Sequence, residues 1–118
     1  MVERAIQRDI QLRFGALPWL RLWRMYVGMG KTLGGQMVRF GIPGMADLTG
    51  LVACGRRLEV EVKGPDGRQS AEQRTWQKVV TGLGGLYCLA RSTDDLQVFL
   101  DAHLAGCASC RAAAGRTS

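Results

Sequence analysis

The stretch LEVEVKGPDG, residues 58–67, decides which fold the sequence predicts. In this stretch Leu58, Val60 and Val62 alternate with Glu59, Glu61 and Lys63. Strict alternation predicts a β-strand, because successive side chains leave opposite faces of the pleat. One face of this strand is aliphatic, and the other carries two carboxylates and an ammonium group. The charged face either contacts solvent, as in many antiparallel sheets, or forms a site for a metal ion and a phosphate group.

Further strand and helix patterns surround this stretch. Pro43 and Gly44 suit the two central positions of a type II turn, Ser70 begins a helix, and Asp94 is expected to cap the last helix. The elements predict an α/β domain with a mixed sheet of four to five strands flanked by helices, in the order α-β-β-β-α-β-α. Strands are predicted at 19–27, 36–41, 46–53, 57–63 and 85–90, and helices at 2–16, 70–82 and 95–105.

Length and charge restrict the class of protein. A chain of 118 residues predicts one domain, placed at 1–106, with a loosely ordered and dispensable tail at 107–118. The formal net charge is +6, and 13 of the 16 basic residues are arginines, whose planar guanidinium groups suit phosphate oxygens. No signal peptide and no apolar run of the ~20 residues needed for a membrane span is recognisable, which predicts a cytoplasmic protein without a membrane partner.

The segment GMGKT, residues 28–32, ends like a phosphate-binding P-loop. Met25 stands where the first glycine of that motif belongs, and the residues after it have no helical pattern. A nucleotide cofactor is therefore not expected. A mobile glycine-rich loop that brings Lys31 near an anion is predicted instead.

The cysteines offer an incomplete metal site. His103, Cys107 and Cys110 supply three ligands in an H-x3-C-x2-C pattern, whereas structural zinc sites usually have four. The sequence therefore favours a frayed tail with two reduced thiols over a zinc site. Cys54 and Cys88 lie in apolar runs and are expected to be buried thiols.

The strands at 46–53 and 57–63 predict a hairpin with a charged face. A three-residue loop at 54–56 would place Asp47 opposite Lys63 and diagonal to Glu61, on one face of the sheet. Two carboxylates at that spacing can bind one hard cation such as Mg²⁺. A loop one residue shorter would send Asp47 to the other face.

Asp47 followed by Glu61-Val62-Lys63 resembles the D…(D/E)-x-K signature of the PD-(D/E)xK nuclease superfamily. More narrowly, the sequence resembles the VRR-NUC domain, the virus-type replication–repair nuclease module. Ala46 departs from the signature, which usually has proline there, but that residue shapes the backbone and is not a ligand. The resemblance implies a restriction-endonuclease-like fold. It is carried by FGIPGMADLTGL (40–51), LEVEVKGPDGRQSAEQRTW (58–76), GLYCLARSTDDL (85–96) and the acidic helix ERAIQRDI (3–10).

The resemblance also implies a mechanism, namely metal-assisted hydrolysis of a DNA phosphodiester bond with Mg²⁺ or Mn²⁺. The implied metal ligands are Glu3, Asp47, Glu61 and the Val62 carbonyl. The implied catalytic residues are Asp47, Glu61, Lys63 and Gln73, with Lys63 orienting the attacking water. Candidate phosphate contacts are Arg24, Lys31, Arg39, Arg68 and Arg74. A homodimer that acts on branched DNA, such as a four-way junction, is the expected assembly.

Other interpretations of the chain and of these residues stay open. The chain could be a non-catalytic nucleic-acid-binding module, or an accessory subunit of a replication or repair complex. Among the residues, Glu59 is expected to be a solvated rim charge, and Gln73 could form a capping box with Ser70. The remaining structural alternatives are a favourable anion in a first helical turn for Glu3, a strand-start residue for Asp47 and a cross-strand ion pair for Lys63.

Overall fold

The computed structural model describes residues 2–116, and within that range the chain forms four helices and seven strands. The helices are α1 (Val2–Phe14), α2 (Ala71–Gly82), α3 (Thr93–Gly106) and α4 (Ala108–Ala114). The strands are β1 (Ala16–Leu17), β2 (Leu20–Arg24), β3 (Gly28–Lys31), β4 (Met37–Phe40), β5 (Leu48–Val52), β6 (Arg57–Val62) and β7 (Leu86–Ala90).

Five of the strands form the central sheet, in the order β1-β2-β5-β6-β7. β6 and β7 are parallel, and the other neighbouring pairs are antiparallel. Helix α2 lies in the connection between the parallel pair, as parallel strands need a long crossover. The predicted mixed α/β sheet is confirmed, although six strands instead of the predicted three or four precede α2 and a further helix follows α3.

The even-numbered side chains of β5 and β6 form the aliphatic face that the alternation predicts. Leu58, Val60 and Val62 are fully buried there and share one core with Ile10 of α1 and with residues of α3. Apolar residues recur every four positions along α1, so the helix turns a single stripe, including Phe14, toward the sheet. Each such side chain stabilises the fold by about 1.5–3 kcal/mol.

The odd-numbered face of the sheet is covered by α2. Trp76 of α2 reaches this face and donates a hydrogen bond from Nε1 to Glu59 Oε1 at 2.7 Å. Ala46, Val80 and Tyr87 form a second, smaller core beside it, with Trp76 packed against them. The charged face of β6 therefore lies inside the protein.

The turn between β5 and β6 differs from the predicted loop by one residue. Val52 donates its N–H to the carbonyl of Arg56 at 3.1 Å, so the three-residue loop is 53–55 and not 54–56. Gly55, with φ of +92°, occupies the last loop position, where a left-handed residue completes a three-residue hairpin. Leu48 consequently pairs with Val60. The register is shifted by two residues from the predicted one, and an even shift leaves every side chain on its predicted face.

The glycine-rich segment is a strand and not the predicted mobile loop. Gly28–Lys31 pairs with Met37–Phe40 in a separate two-stranded sheet, closed by a turn in which Thr32 donates its N–H to Gln36. The type II turn that follows is confirmed, because Gly44 has φ of +89° and the Met45 N–H donates to the Ile42 carbonyl at 3.0 Å.

The helix ends agree in part with the sequence. Ser70 caps α2 in a capping box, as predicted. Helix α3 is capped by Ser92 and not by Asp94, because the Ser92 hydroxyl accepts the N–H of Asp95. Among the helices at 2–116, none combines the length and the apolar character that crossing a bilayer requires.

The segment expected to be a loose tail contains α4. Cys110 and Ala113 of this helix are buried in the main core, beside residues of the sheet. The predicted dispensability of 107–118 therefore does not fit the packing, since removing α4 would expose apolar surface. Residues 117–118 lie outside the described part.

Replacing Gly55 by alanine tests the turn that sets the register. No described atom lies within 4 Å of the position where a Cβ would stand, so the cost comes from the left-handed backbone alone. We expect Gly55→Ala to lower the free energy of unfolding by about 1–2 kcal/mol in a urea titration. Gly82→Ala, where a Cβ is also unhindered and φ is not left-handed, is the matched control and should cause no loss. Equal stability of the two variants would contradict the assigned turn.

Candidate active site

Asp47 is held where β5 begins. The pairing of β5 with β6 ends at Leu48 and Val60. Beyond that point the Asp47 side chain bonds to β6 in place of a backbone carbonyl, because its Oδ2 accepts the N–H of Val62 at 2.7 Å. On the other side, the Asp47 carbonyl accepts the N–H of Met25 at 2.8 Å. Asp47 is thus fixed between two strands, and an extension of the register by one residue places it opposite Glu61.

Glu61 is a buried carboxylate with two unlike oxygens. The residue is only 1% exposed. Its Oε2 accepts a hydrogen bond from Gln73 Nε2 at 2.7 Å and lies 3.5 Å from Lys63 Nζ. Its Oε1 is buried and has no hydrogen-bond partner within residues 2–116. A buried carboxylate oxygen without a donor is costly for the fold, and such a group is typical of a site that binds a ligand.

Gln73 combines the two roles that the sequence left open. Its backbone N–H donates to Ser70 Oγ at 3.1 Å, and its side-chain Oε1 accepts the N–H of Ser70 at 2.8 Å. The remaining end of the amide, Nε2, donates to Glu61. The capping box therefore fixes the Gln73 side chain, so that its donor points at the carboxylate.

Burial and mutual repulsion raise the pKa values of both carboxyl groups. Desolvation raises the pKa of Glu61 from its ordinary 4.5 to about 7; the Asp47 charge adds to that shift, and Lys63 opposes it. Desolvation also raises the pKa of Asp47, while the N–H of Val62 lowers it. The negative charge of Glu3 raises both pKa values further. The site therefore holds more negative charge than its own residues offset.

Glu3 reaches the site from the first turn of α1. Glu3 lies close to Gly64, the residue after Lys63, because a Cβ placed on Gly64 would be 3.8 Å from Glu3 Cγ. Glu3 is exposed, and it lines an open cleft together with Arg24 and the loop that starts at Gly64. The cleft lies beside the loop that follows Lys63.

Arg91 is a supporting residue that sequence reasoning missed. Its guanidinium group donates to the carbonyls of Gly64 and Gly67, at 2.6 and 2.8 Å, and so ties the loop after Lys63 to the end of β7. A positive charge immediately after a buried strand was the available signal. Asp95 in turn accepts the backbone N–H of Arg91, which anchors the start of α3 to the same point.

Glu59 is not the solvated rim charge that the sequence predicts. It is 0% exposed, it accepts the Trp76 indole N–H, and its Oε2 lies 3.3 Å from Arg57 Nε. The prediction is wrong because alternation identifies a face of a strand but does not reveal which helix covers it. Glu59 fastens α2 to the sheet near Glu61.

The predicted phosphate contacts are dispersed around the site. Lys31 and Arg39 share one face of the β3–β4 hairpin, since Lys31 pairs with Met37 and Arg39 with Met29. Arg24 is half-buried, and its charge lowers the pKa of Asp47. Arg68 is exposed in the loop after Lys63, and Arg74, also exposed, follows Gln73 and donates to the Gln69 carbonyl.

A second group of ligands lies away from the carboxylates. The ligand atoms of Cys54, His103, Cys107 and Cys110 all lie within 4.8 Å of one another. The ligand set that the sequence left incomplete is therefore completed by Cys54, whereas Cys88 is the buried core thiol that was expected. The missed signal was the position of Cys54 beside Gly55, in a turn where a thiol has little core to fill.

The donor set at the carboxylate site suits a hard cation. In the described part of the chain Glu61 Oε1 has no hydrogen-bond partner, and the bond from the Val62 N–H uses only one oxygen of Asp47. Glu3 adds a third carboxylate at the mouth of the site. Carboxylate oxygens are the usual ligands of Mg²⁺ and Mn²⁺, so the chemistry of these groups suits such an ion, and its binding here stays a prediction. Val62 contributes its N–H to Asp47, and its carbonyl stays a predicted ligand.

The raised pKa of Glu61 predicts a pH-dependent stability in the absence of divalent ions. The folded state holds the proton up to about pH 7 and the unfolded state only to about 4.5, so the stabilisation is complete below 4.5 and is lost as the pH rises through 7. We expect the free energy of unfolding of the wild type, relative to Glu61→Gln, to fall by up to about 3 kcal/mol across this range.

Urea titrations at several pH values, in buffer freed of metal ions by a chelating resin, measure this difference. Glutamine keeps an acceptor for Gln73, so Glu61→Gln removes the titrating group with little change of shape. Glu72→Gln, at an exposed position of α2, is the matched control and should follow the wild type. Parallel pH profiles of the wild type and Glu61→Gln would contradict the buried state of this carboxylate.

Comparisons with known proteins do not assign this chain to a family. The sequence matches no protein-family model, and no curated protein is significantly similar to it. The resemblance to nucleases carried by Asp47, Glu61 and Lys63 therefore stays a hypothesis. The function has to be argued from the residues of the site themselves.

Proposed function

We propose that the chain is a metal-dependent nuclease that hydrolyses phosphodiester bonds of DNA. The observation that carries this proposal is the asymmetry of the Glu61 carboxylate. One oxygen is bound by Gln73 and Lys63, and the other is buried and has no hydrogen-bond donor among residues 2–116. Glu59 Oε2 on the same face also lacks a hydrogen bond, but Arg57 Nε lies 3.3 Å from it. The ion pair of Glu61 with Lys63 involves Oε2 instead, so it does not compensate the free Oε1.

The architecture supports a restriction-endonuclease-like assignment. Asp47 and Glu61 lie on adjacent antiparallel strands of a mixed sheet, and Lys63 follows two residues after Glu61 on the same face. Helix α1 brings Glu3 to the same edge, and α2 brings Gln73. This grouping of an acidic pair, a lysine and a helix that supplies a further carboxylate is what the D…(D/E)-x-K resemblance implies.

In this proposal Asp47, Glu61 and Glu3 would hold a Mg²⁺ or Mn²⁺ ion, with the Val62 carbonyl as a further ligand. Such an ion lowers the pKa of a bound water and offsets the negative charge of a phosphodiester in the transition state. Gln73 keeps the Glu61 carboxylate in one orientation, because its amide is itself fixed by the capping box.

Lys63 has the position of a residue that contacts substrate. Its side chain is 13% exposed, so it is mostly buried but still in contact with solvent. Its ammonium group lies 3.5 Å from Glu61 Oε2. From there it could orient a water molecule or contact a phosphate oxygen. A positive charge that acts in a partly dry site stabilises transition-state charge more strongly than in water.

The surroundings are consistent with a polyanionic substrate. The net charge of +6 favours a polyanionic partner such as DNA, and Lys31 and Arg39 add positive charge on one face of the β3–β4 hairpin. A chain of 118 residues has little surface to hold a duplex alone. We therefore propose a homodimer that acts on branched DNA.

Lys63→Ala tests the proposal. Linear, flap, fork and four-way DNA are incubated with the wild type and the variant, in Mg²⁺ or Mn²⁺. We expect cleavage by the wild type and a loss of at least about 100-fold in the variant, because one transition-state contact is removed. DNA binding should be retained, since the other cations remain. Lys78→Ala, an exposed lysine on α2, is the matched control and should cleave normally.

Two outcomes would contradict the proposal. Full activity of Lys63→Ala would remove Lys63 from the site. DNA binding by the wild type without metal-dependent cleavage of any substrate would instead favour the non-catalytic nucleic-acid-binding module.

A further inference from the structure

Four soft ligands meet at the end of the molecule that carries the β5–β6 turn. Cys54 lies in that turn, His103 in the last turn of α3, Cys107 between α3 and α4, and Cys110 within α4. Two separate parts of the chain therefore converge, since the turn at Cys54 lies about fifty residues before the segment 103–110. Their ligand atoms are all within 4.8 Å of one another.

Two of the distances between these atoms are close to the edges of a tetrahedral zinc site, and the others do not exceed 4.8 Å. Zn–S bonds of about 2.3 Å and Zn–N bonds of about 2.0 Å require ligand atoms about 3.5–3.8 Å apart. His103 Nε2 lies 3.3 Å from Cys110 Sγ and 3.9 Å from Cys54 Sγ. We propose that Cys54, His103, Cys107 and Cys110 bind one zinc ion in a structural site.

The chemistry of the ligands selects zinc over the ion proposed at Asp47 and Glu61. Thiolates and imidazole bind zinc well and Mg²⁺ poorly, whereas the carboxylate site has the opposite preference. Four protein ligands complete a tetrahedron, so no position is open for water or substrate, as is typical of structural zinc. All four cysteines of the chain are free thiols, so none is withdrawn into a disulfide.

The residues around the cluster hold the ligands in place. The indole of Trp19 stacks on the His103 ring, with centroids 6.2 Å apart and planes at 14°. Arg111 donates to the carbonyls of Leu104 and Ala105, at 2.8 and 2.7 Å, and closes the corner between α3 and α4. These contacts fix the ring and the helix corner that carry three of the four ligands.

The position of Cys54 gives the site a consequence for the rest of the fold. Cys54 is the central residue of the loop 53–55 that sets the register of β5 against β6. A zinc ion would fasten this loop to α3 and α4, and so help to fix the hairpin on which Asp47 and Glu61 lie. Its role would be to preserve the fold and not to take part in hydrolysis.

Metal analysis of the full chain tests this inference without reference to nuclease activity. The protein is purified under reducing conditions without chelators, and its zinc content is measured by inductively coupled plasma mass spectrometry. We expect about one zinc ion per chain, released when a mercurial reagent blocks the thiols. Replacement of zinc by Co²⁺ should give the visible absorption of tetrahedral cobalt bound to thiolates.

Variants identify the ligands. Cys54→Ser and His103→Ala should each lose most of the bound zinc and change the cobalt spectrum. Cys88→Ala removes a cysteine that lies in the main core and outside the cluster, so it should keep both. If the ligand variants fail to fold, the zinc content and cobalt spectrum of the wild type still decide the question.

Wild-type protein that folds and binds neither zinc nor cobalt when both are supplied would overturn the proposal. A cobalt spectrum unchanged in Cys54→Ser would remove Cys54 from the ligand set. A site filled with iron in place of zinc would overturn the choice of metal.

Discussion

The desolvated carboxylate of Glu61 is the constraint that the surrounding residues satisfy. A carboxylate on a central strand loses its water, and this protein compensates one oxygen with the amide of Gln73 and the ammonium group of Lys63. The capping box of α2 orients that amide, and Trp76 binds Glu59 on the same face. The position of α2 on the sheet is therefore set largely by two buried carboxylates.

The compensation is incomplete where chemistry is proposed. Glu61 Oε1 lacks a partner within residues 2–116, and Asp47 and Glu3 add negative charge instead of removing it. A site that keeps like charges together costs stability, and such local conflicts are common where a ligand supplies the missing interaction. A divalent cation at Asp47 and Glu61 would both satisfy the free oxygen and reduce the repulsion.

The sequence was sufficient to predict the face on which the site residues lie. Alternation along 58–63 has a period of two, so Asp47, Glu61 and Lys63 stay together even though the predicted register was off by two residues. The capping box of Ser70 and Gln73 was predictable for a similar reason, because both partners are three residues apart in the chain. Local patterns of this kind survive an error in the tertiary arrangement.

The features that depend on distant parts of the chain were not predictable. The crossover from β6 to β7 decides which helix covers Glu59. The alternation of residues along β6 carries no information about this crossover. The fourth cluster ligand, Cys54, lies 49 residues before His103, so its convergence with α3 and α4 required the fold. Packing in the core, at Cys110 and Ala113, orders the segment that composition alone indicated to be a loose tail.

Two kinds of metal chemistry would then serve one hairpin. Hard oxygen ligands lie at the end of β5 and β6 that carries Asp47 and Glu61, and soft ligands surround the turn at Cys54 at the other end. The first is proposed to take part in hydrolysis, and the second to keep the hairpin in register. Chelators would disturb both, so experiments on the carboxylate site should remove divalent ions with a resin and leave tightly bound zinc in place.

The most direct test of the carboxylate site is thermal unfolding of the wild type and Asp47→Asn, with and without Mg²⁺. Asparagine keeps an acceptor for the Val62 N–H and removes one charge beside Glu61. Without Mg²⁺, the variant should melt at a higher temperature than the wild type, because repulsion is relieved. Mg²⁺ should stabilise the wild type more than the variant, since an ion that binds only the folded state shifts unfolding by mass action. A variant that melts at a lower temperature, and that shows the same shift with Mg²⁺ as the wild type, would mean that Asp47 is a structural residue and that no metal binds there.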